Sequence, residues 1–462
     1  MASSTHQQNF CLLRMAEDEL QVYLDDKLEE TGINDISNVE EIYPCAPMQE
    51  GIQLSKMVAS SPDYNVVATI SIDPVRDNDV VDRSLVRRSW QQVVDRHAIL
   101  RTIFVESVEY GRFSDQIVLL QWTADIREAE SLEDFTEVVE FSEHQPAHCL
   151  TIAQTNNGGV HCRLEIDHTL TDGISVGIVM RDLARAYIGD LPRTPSPSYS
   201  KYIAFLQNGG EDIHLQYWIE RLSGAQPCLF PTIESFLGDD AHDAQLAIPV
   251  TGLRTSVLHA FCNKLNVTLF NLVQAAWALV LQSYTGMDDV CFGYVIAGRD
   301  LPIERVEGIM GPLINTLICR ARIGTGNSQS VSGLVQDMKR QSRENLEHQT
   351  TSLGSIYGAL QLKTRRLFNT AVMFRPLHMD KITNDTVSLS LVGRKSYSEF
   401  DITVSLERSD KVEISLQYSP QTITKESVIA IAYSLSQTLT LMPKSAKLPS
   451  IKPTPLQHRI LI

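Results

Sequence analysis

The 462 residues hold no C-x-x-C pair and no H-E-x-x-H or comparable histidine spacing, so no zinc or iron–sulfur framework is expected. The eight cysteines, Cys11, Cys45, Cys149, Cys162, Cys228, Cys262, Cys291 and Cys319, are scattered and mostly set in apolar runs, which predicts reduced, buried thiols. His144 and His148 stand four apart, but Pro146 breaks the polar stretch between them and argues against a metal pair. The N-terminus lacks a basic-then-apolar leader. The longest apolar run, at 269–281, is interrupted by Asn271 and Gln274 and is too short to cross a bilayer, so a cytoplasmic protein is the expectation. Positive charge is also scarce. Forty Lys and Arg against 56 Asp and Glu give a net charge of −16, which argues against a general binder of nucleic acid or anionic membranes. The letters show no internal repeat.

What is present is a chain long enough for two or three domains, with one stretch that organises the rest. In VHCRLEIDHTLTDGISVGIVMRDLARAYIG (160–189), apolar Val160, Cys162, Leu164 and Ile166 alternate with His161, Arg163, Glu165 and Asp167, the period of a strand with one buried face. Parity sets His168 with the buried row and Asp167 on the other side, so the two neighbours are not expected to share a task. A tight turn follows. Then Ile174, Ile178, Met180, Leu183, Ala184 and Tyr187 repeat at helical spacing, with Asp172 at the helix entry, where it accepts backbone N–H bonds, and Gly173 beside it. Alone, H-x-x-x-D-G is more often a core histidine beside a capping aspartate than a catalytic site.

Other stretches add to it. A short helix is expected after residue 16, and a second, amphipathic one from Pro47 through Met48, Ile52, Leu54 and Met57. SLVRRSWQQVVDRHAIL puts Leu85, Trp90, Val93, Val94, Ile99 and Leu100 on one helical stripe. His97 reads as structural, at a helix end where its cation favours the dipole. Strands are expected at 66–72, 116–121, 290–296, 367–374, 400–406 and 412–418, the last two joined by a hairpin at 407–411. Helices are expected near 202–205 and 213–222, at 254–265 and 270–284, and a closing helix at 428–441. Between them lies an acidic, loop-like stretch at 234–245, and the three prolines of 189–200 mark a boundary between subdomains.

Five stretches in order, YPCAPMQEGI (43–52), RHAILRTIF (96–104), HTLTDG (168–173), GYVIAGRD (293–300) and EGIMGPLINT (307–316), resemble the core motifs of the condensation domains of nonribosomal peptide synthetases, within the chloramphenicol acetyltransferase superfamily. The plant acyl-CoA transferase signature D-F-G-W-G is absent; SEFDIT at 398–403 is the nearest string. The resemblance implies an α/β (α+β sandwich) fold of two acetyltransferase-like subdomains arranged in a V around an active-site tunnel. Along the chain it implies an N-terminal segment from a preceding carrier domain (1–35), an N-terminal subdomain (36–190), a linker (191–200), a C-terminal subdomain (201–445) and a tail (446–462).

Ordinary members of the family carry two consecutive histidines where this chain has Asp167–His168. The fungal terminal, macrocyclising members lack the first histidine and carry Ser or Thr three residues after the aspartate, here Ser175. The resemblance therefore implies a cyclase that releases a carrier-bound peptidyl thioester by intramolecular amine attack. An elongating domain and a non-catalytic docking module are the alternatives. His168 inherits the catalytic role, as general base, as the group orienting the amine, or as a hydrogen-bonding partner of the intermediate. Asp172 and Arg299 would form a supporting ion pair. Gly173, Ser175 and Asn315 would line the substrate tunnel, with helix N–H groups near the oxyanion. No metal or bound cofactor is implied: the acyl group arrives on the phosphopantetheine arm of an upstream carrier domain, and the domain acts as a monomer.

Overall fold

Alternating and near-continuous apolar runs set most of the strands, and the side chains of Asp82, Asp172, Thr268, Ser330, Ser352 and Thr424 cap the starts of six of the described helices. The computed structural model describes residues 11–451 apart from 34, 60–64, 77–78, 110–111, 132–138, 232–245, 363–365, 377–380, 396–398, 409–411 and 421. The expected acidic stretch at 234–245, most of the hairpin connection at 407–411 and most of the tail lie outside the described residues.

In chain order the described strands are β1 (Val39–Pro44), β2 (Asn65–Pro74), β3 (Thr102–Glu106), β4 (Ser114–Leu119), β5 (Asp125–Ala129), β6 (His148–Gln154), β7 (Val160–Asp167), β8 (Leu246–Pro249), β9 (Asp289–Ile296), β10 (Asn315–Arg322), β11 (Thr370–Pro376), β12 (Lys381–Thr383), β13 (Val387–Lys395), β14 (Ile402–Arg408) and β15 (Val412–Tyr418). The α-helices are α1 (Glu17–Thr31), α2 (Pro47–Ala59), α3 (Arg83–Arg96), α4 (Gly173–Tyr187), α5 (Ser200–Asn208), α6 (Glu211–Leu222), α7 (Thr255–Leu265), α8 (Leu269–Thr285), α9 (Val331–Leu346), α10 (Leu353–Leu360) and α11 (Lys425–Leu441).

The chain folds into two α/β units. The first comprises Met1–Gly209, Ala297–Ile314 and His378–Ser396; the second comprises Gly210–Ile296, Asn315–Leu377 and Tyr397–Ile462. Boundaries read along the sequence were contiguous, whereas two late segments return to the first unit. Pairing is the physical reason for one of them, because β13 is bonded antiparallel to β2 from Val387 to Lys395. The proline-rich stretch at 191–200 also sits within the first unit: Arg96 donates to the carbonyls of Pro192 and Thr194, and Tyr199 is fully buried.

The first unit holds a six-stranded sheet of order β12-β13-β2-β7-β6-β5 and a three-stranded sheet of order β1-β4-β3. Trp90, Val93 and Val94 of α3 and Met180 and Leu183 of α4 pack with Ile70, Leu164 and Ile166 of the larger sheet. Burying side chains of this size stabilises the fold by roughly 1.5–3 kcal/mol each. Asp82 caps α3 by accepting the N–H groups of Ser84 and Leu85 at 2.8 and 3.3 Å.

In the second unit the sheet order is β10-β9-β11-β14-β15-β8, with β11 parallel to both neighbours. Trp218, Trp277, Phe292 and Tyr418 are fully buried there. The apolar run at 269–281 is α8, buried along most of its length. It starts at a Thr268–Asn271 capping box and ends at left-handed Gly286.

One expectation is corrected at β7. Its polar row is buried as well as its apolar row, with Arg163, Glu165 and Asp167 at 7%, 1% and 6% exposure. The strand tolerates this because each polar group is paired. Arg163 Nε lies 3.1 Å from Glu165 Oε1, Glu165 Oε2 accepts the Val139 N–H at 3.1 Å, and Asp167 is paired with Lys56.

Candidate active site

β7 ends at Asp167, and His168 opens the turn into α4. Asp172 is the residue that shapes this turn. Its Oδ1 accepts the N–H of Ile174 at 3.1 Å, the N–H of Ser175 at 2.8 Å and the Ser175 hydroxyl at 2.8 Å. Its Oδ2 accepts Arg299 Nη2 at 2.8 Å and the Leu313 N–H at 3.2 Å. A fully buried carboxylate is costly unless its lone pairs are used, and here they are occupied.

Arg299 belongs to the returning segment 297–314, and it holds that segment in turn. Nη1 donates to the carbonyls of Val306 and Ile309, and Nη2 also donates to that of Gly311 at 3.2 Å. Two glycines make the segment possible. At Gly298 (φ 64°) a Cβ would come within 2.1 Å of the Leu313 carbonyl oxygen; at Gly311 (φ 133°) it would strike the Tyr199 ring at 2.5 Å. The Tyr199 hydroxyl then donates to the Pro312 carbonyl at 2.9 Å.

These bonds leave His168 half-buried and Gly173 exposed, while Asp172 and Ser175 have no exposure. His168 Nδ1 is buried without a hydrogen-bond partner among the described residues, so the accessible part of the ring is its distal edge, where Nε2 sits. Burial chiefly pushes the imidazole pKa below its ordinary value, and the Arg394 charge adds to this. Backbone groups of His168 and Thr171 and the Asp172 carboxylate act in the opposite direction. The outcome is an imidazole that is neutral at neutral pH and able to accept a proton.

Ser175 was read as a tunnel residue. Its side chain is instead spent internally: the hydroxyl donates to Asp172 Oδ1 and accepts the Gly311 N–H at 3.1 Å. The first-turn N–H groups of Ile174 and Ser175 are likewise taken by Asp172 and are not donors to an oxyanion. Asn315 lies in the second unit, where Nδ2 donates to the carbonyls of Gln349 and Thr351 at 2.7 and 3.0 Å and Oδ1 accepts the Thr316 N–H.

Asp167 has more to do than its parity suggested. Its Oδ1 accepts the N–H and the hydroxyl of Thr169, at 2.8 and 2.5 Å, and its Oδ2 pairs with Lys56 of α2. Burial holds the Lys56 ammonium down to about 8. Gln49, also on α2, donates to the Thr169 carbonyl at 2.9 Å and exchanges bonds with Gln116 at 2.9 Å. The turn that carries His168 is thus fastened on one side by Asp172 and on the other by Asp167. The two-residue Asp–Thr spacing was a local turn signal for Asp167; Lys56 and Gln49 had none.

His97 is buried and faces Asp182 of α4, with Nε2 to Oδ2 at 3.0 Å. Burial lowers its pKa, with Asp182 opposing, so the expected cation on the helix dipole gives way to a hydrogen-bonded ring. Arg96 Nε donates to the same carboxylate at 3.0 Å, tying α3 to α4, and Arg181 Nε, the neighbour of Asp182 on α4, donates to its other oxygen at 3.0 Å.

The family profile described as "Condensation domain" matches residues 39–450. The chain is 34% identical over 418 residues to nonribosomal peptide synthetase 8 of Aspergillus fumigatus, covering 88% of this chain and 5% of that protein. It is 31% identical over 471 residues to nonribosomal peptide synthetase atnA of Emericella nidulans, covering 97% and 6% respectively. It therefore spans only a small part of the length of these relatives. Among solved structures, the condensation domain from the monacolin K polyketide synthase MokA aligns with a TM-score of 0.72 at 14% identity, over 89% of this chain and 99% of that one. The crystal structure of holo T3CT aligns with a TM-score of 0.69 at 19% identity, over 95% and 99%. Those two likenesses are of fold; the profile and the sequence relatives carry the family, and this chain belongs to the condensation-domain family.

Proposed function

We propose that this chain is the terminal, macrocyclising type of condensation domain in a fungal nonribosomal peptide synthetase, releasing a peptide from an upstream carrier domain as a cyclic amide. The carrying observation is the pair Asp167–His168. One imidazole is presented at the turn, and the residue before it is an aspartate committed to Lys56 and Thr169 rather than a second histidine.

The peptide arrives as a thioester on the carrier's phosphopantetheine arm. An amine of the same peptide attacks the carbonyl carbon; the C–N bond forms and the carbonyl π pair moves to oxygen. His168 Nε2 takes the amine proton. When the C=O bond re-forms, the C–S bond breaks with its pair going to sulfur, and the proton ends on that sulfur as a free thiol. Holding both reacting groups on one tethered chain supplies an effective molarity on the order of 10⁵ M or more in favourable cases, so the protein's main tasks are orientation and one proton. Arg299 and Asp172 support the turn and touch neither reactant.

Mass spectrometry tests this. Linear peptidyl thioesters are loaded on a carrier, and this chain is added with and without a second, aminoacyl-loaded carrier. Cyclic product from the wild type and none from His168→Ala is expected. A linear amide formed only with the second carrier would make this an elongating domain, and no product under either condition would make it a docking module.

A further inference from the structure

β13 is laid against β2 with one irregularity. Leu389 faces Ile72 and Leu391 faces Ile70, but Gly393 faces Thr69 and Arg394 faces Ala68, so Val392 is an extra residue in the ladder. In an unbroken ladder Gly393 would face Ala68, and Arg394 would point to the opposite side of the sheet. The slip turns Arg394 onto the face of Ala68. Ala68 in turn pairs with Leu164 on β7, whose even-numbered row, Leu164 and Ile166, leads to His168. A bulge that re-aims one side chain beside a site is a recurrent use of this irregularity.

The guanidinium ends on Gly173. A Cβ built there would meet Arg394 Nη2 at 3.3 Å, Nη1 at 3.5 Å and Cζ at 3.9 Å. Gly173 is the exposed start of α4, and Arg394 is exposed as well, so the cation sits at the accessible side of the turn. Its charge is felt by the His168 ring. Asp172 takes the N–H groups of Ile174 and Ser175 and the Ser175 hydroxyl, so those three groups face the carboxylate.

We propose that Arg394 is a further catalytic residue, whose guanidinium donates to the thioester carbonyl oxygen as that oxygen becomes an oxyanion. This rests on the reading of the site as an amide-forming thioester site. In the balanced step, the amine lone pair forms the C–N bond and the carbonyl π pair moves onto oxygen against the Arg394 N–H groups. Collapse returns that pair to the C=O bond as the C–S pair leaves on sulfur, and the amine proton passes by way of His168 to that sulfur.

The test uses a peptidyl thioester that the wild type turns over, with Arg394→Met and Arg394→Lys. Removing one oxyanion donor costs about 10²–10³ in kcat in other enzymes. Arg394→Met is therefore expected to lose about 10²-fold in kcat with KM within about threefold, and Arg394→Lys to recover part of the loss. Binding supplies a second readout: a phosphonamidate analogue, anionic and tetrahedral, of the same peptidyl pantetheine should weaken at least about tenfold in Arg394→Met, while the neutral amide analogue weakens little. A kcat within twofold of wild type, or equal weakening of both analogues, overturns the assignment and leaves the reading of the site standing. Absence of product from the wild type with every loaded thioester overturns that reading, and the assignment with it.

Discussion

Asp172 and Arg299 stand 127 positions apart in the chain and 2.8 Å apart in the fold, with the carboxylate fully buried and the guanidinium side chain nearly so. Breaking such a pair leaves one buried charge alone, at a cost of about 3–5 kcal/mol. Asp172→Ala should lose stability of that order in urea denaturation, together with soluble yield. The double variant Asp172→Ala/Arg299→Met should cost less than the sum of the two single changes, since each single change strands the other partner. Additivity within experimental error would mean the two residues act independently.

Asp167 has a distinct prediction because it touches the turn itself. Asp167→Ala removes the acceptor for the Thr169 N–H and hydroxyl and strands Lys56. A buried donor left unpaired costs about 1–3 kcal/mol. The variant is expected to lose that stability and to lower kcat more than it raises KM, because the backbone carrying His168 loosens. Lys56→Met in the Asp167→Ala background should restore part of the stability and little of the rate. Thermal melting and steady-state kinetics on the four proteins of this cycle check both parts.

These two aspartates show what was legible in the letters. The strand to 167, the turn and the helix from 173 were readable because period and capping are local, and Asp172 accepting Ser175 is a contact three residues long. The other half of its coordination comes from Arg299 and Leu313, which only tertiary folding brings to it. Asp167 misled because alternation gives the side a residue faces, not whether that side is covered; α2 covers it and supplies Lys56. Arg394 was beyond reach for a sharper reason. No strand is among the sequence expectations at 387–395, and the one-residue slip that decides which face Arg394 takes is set by pairing with β2.

His148 gives a pH prediction separate from catalysis. Its Nε2 donates to the Leu100 carbonyl at 2.8 Å and the ring packs edge-on to Trp90, centroids 5.7 Å apart. Burial pushes its pKa down to about 4, with the Leu100 carbonyl opposing, whereas in the unfolded chain it titrates near 6.5. Above about pH 6.5 both states hold the ring neutral and stability is unaffected. As the pH falls from about 6.5 to about 4 the unfolded chain takes the proton and the folded one does not, so stability falls by up to about 3 kcal/mol. His97 and His168 shift in the same direction and steepen the wild-type curve. The contribution of His148 is therefore the difference between wild type and His148→Gln, followed by urea denaturation at stepped pH. A constant difference across that window would show that His148 does not titrate there.

The rate should report His168 in the same pH window, with a different dependence on charge. Protonation disables the imidazole as a base, so kcat/KM for the loaded thioester falls at low pH along a limb set by the His168 pKa in the free protein. Burial and the Arg394 charge put that limb below the ordinary histidine value, and the backbone of His168 and Thr171 with the Asp172 carboxylate limit how far. Between about pH 6.5 and 8 the rate is then flat with respect to His168, where an exposed histidine would still be titrating at the lower end. Removing the cation changes the position of the limb as well as the height of the plateau. Arg394→Met lifts the repulsion on the imidazolium, so the acid limb moves up in pH while the plateau falls. Asp172→Asn removes the opposing carboxylate charge and moves the limb down. Kinetics from pH 5 to 8 on the three proteins read both displacements. If the limb stays in place in both variants, the ionisation that governs the rate belongs to another group.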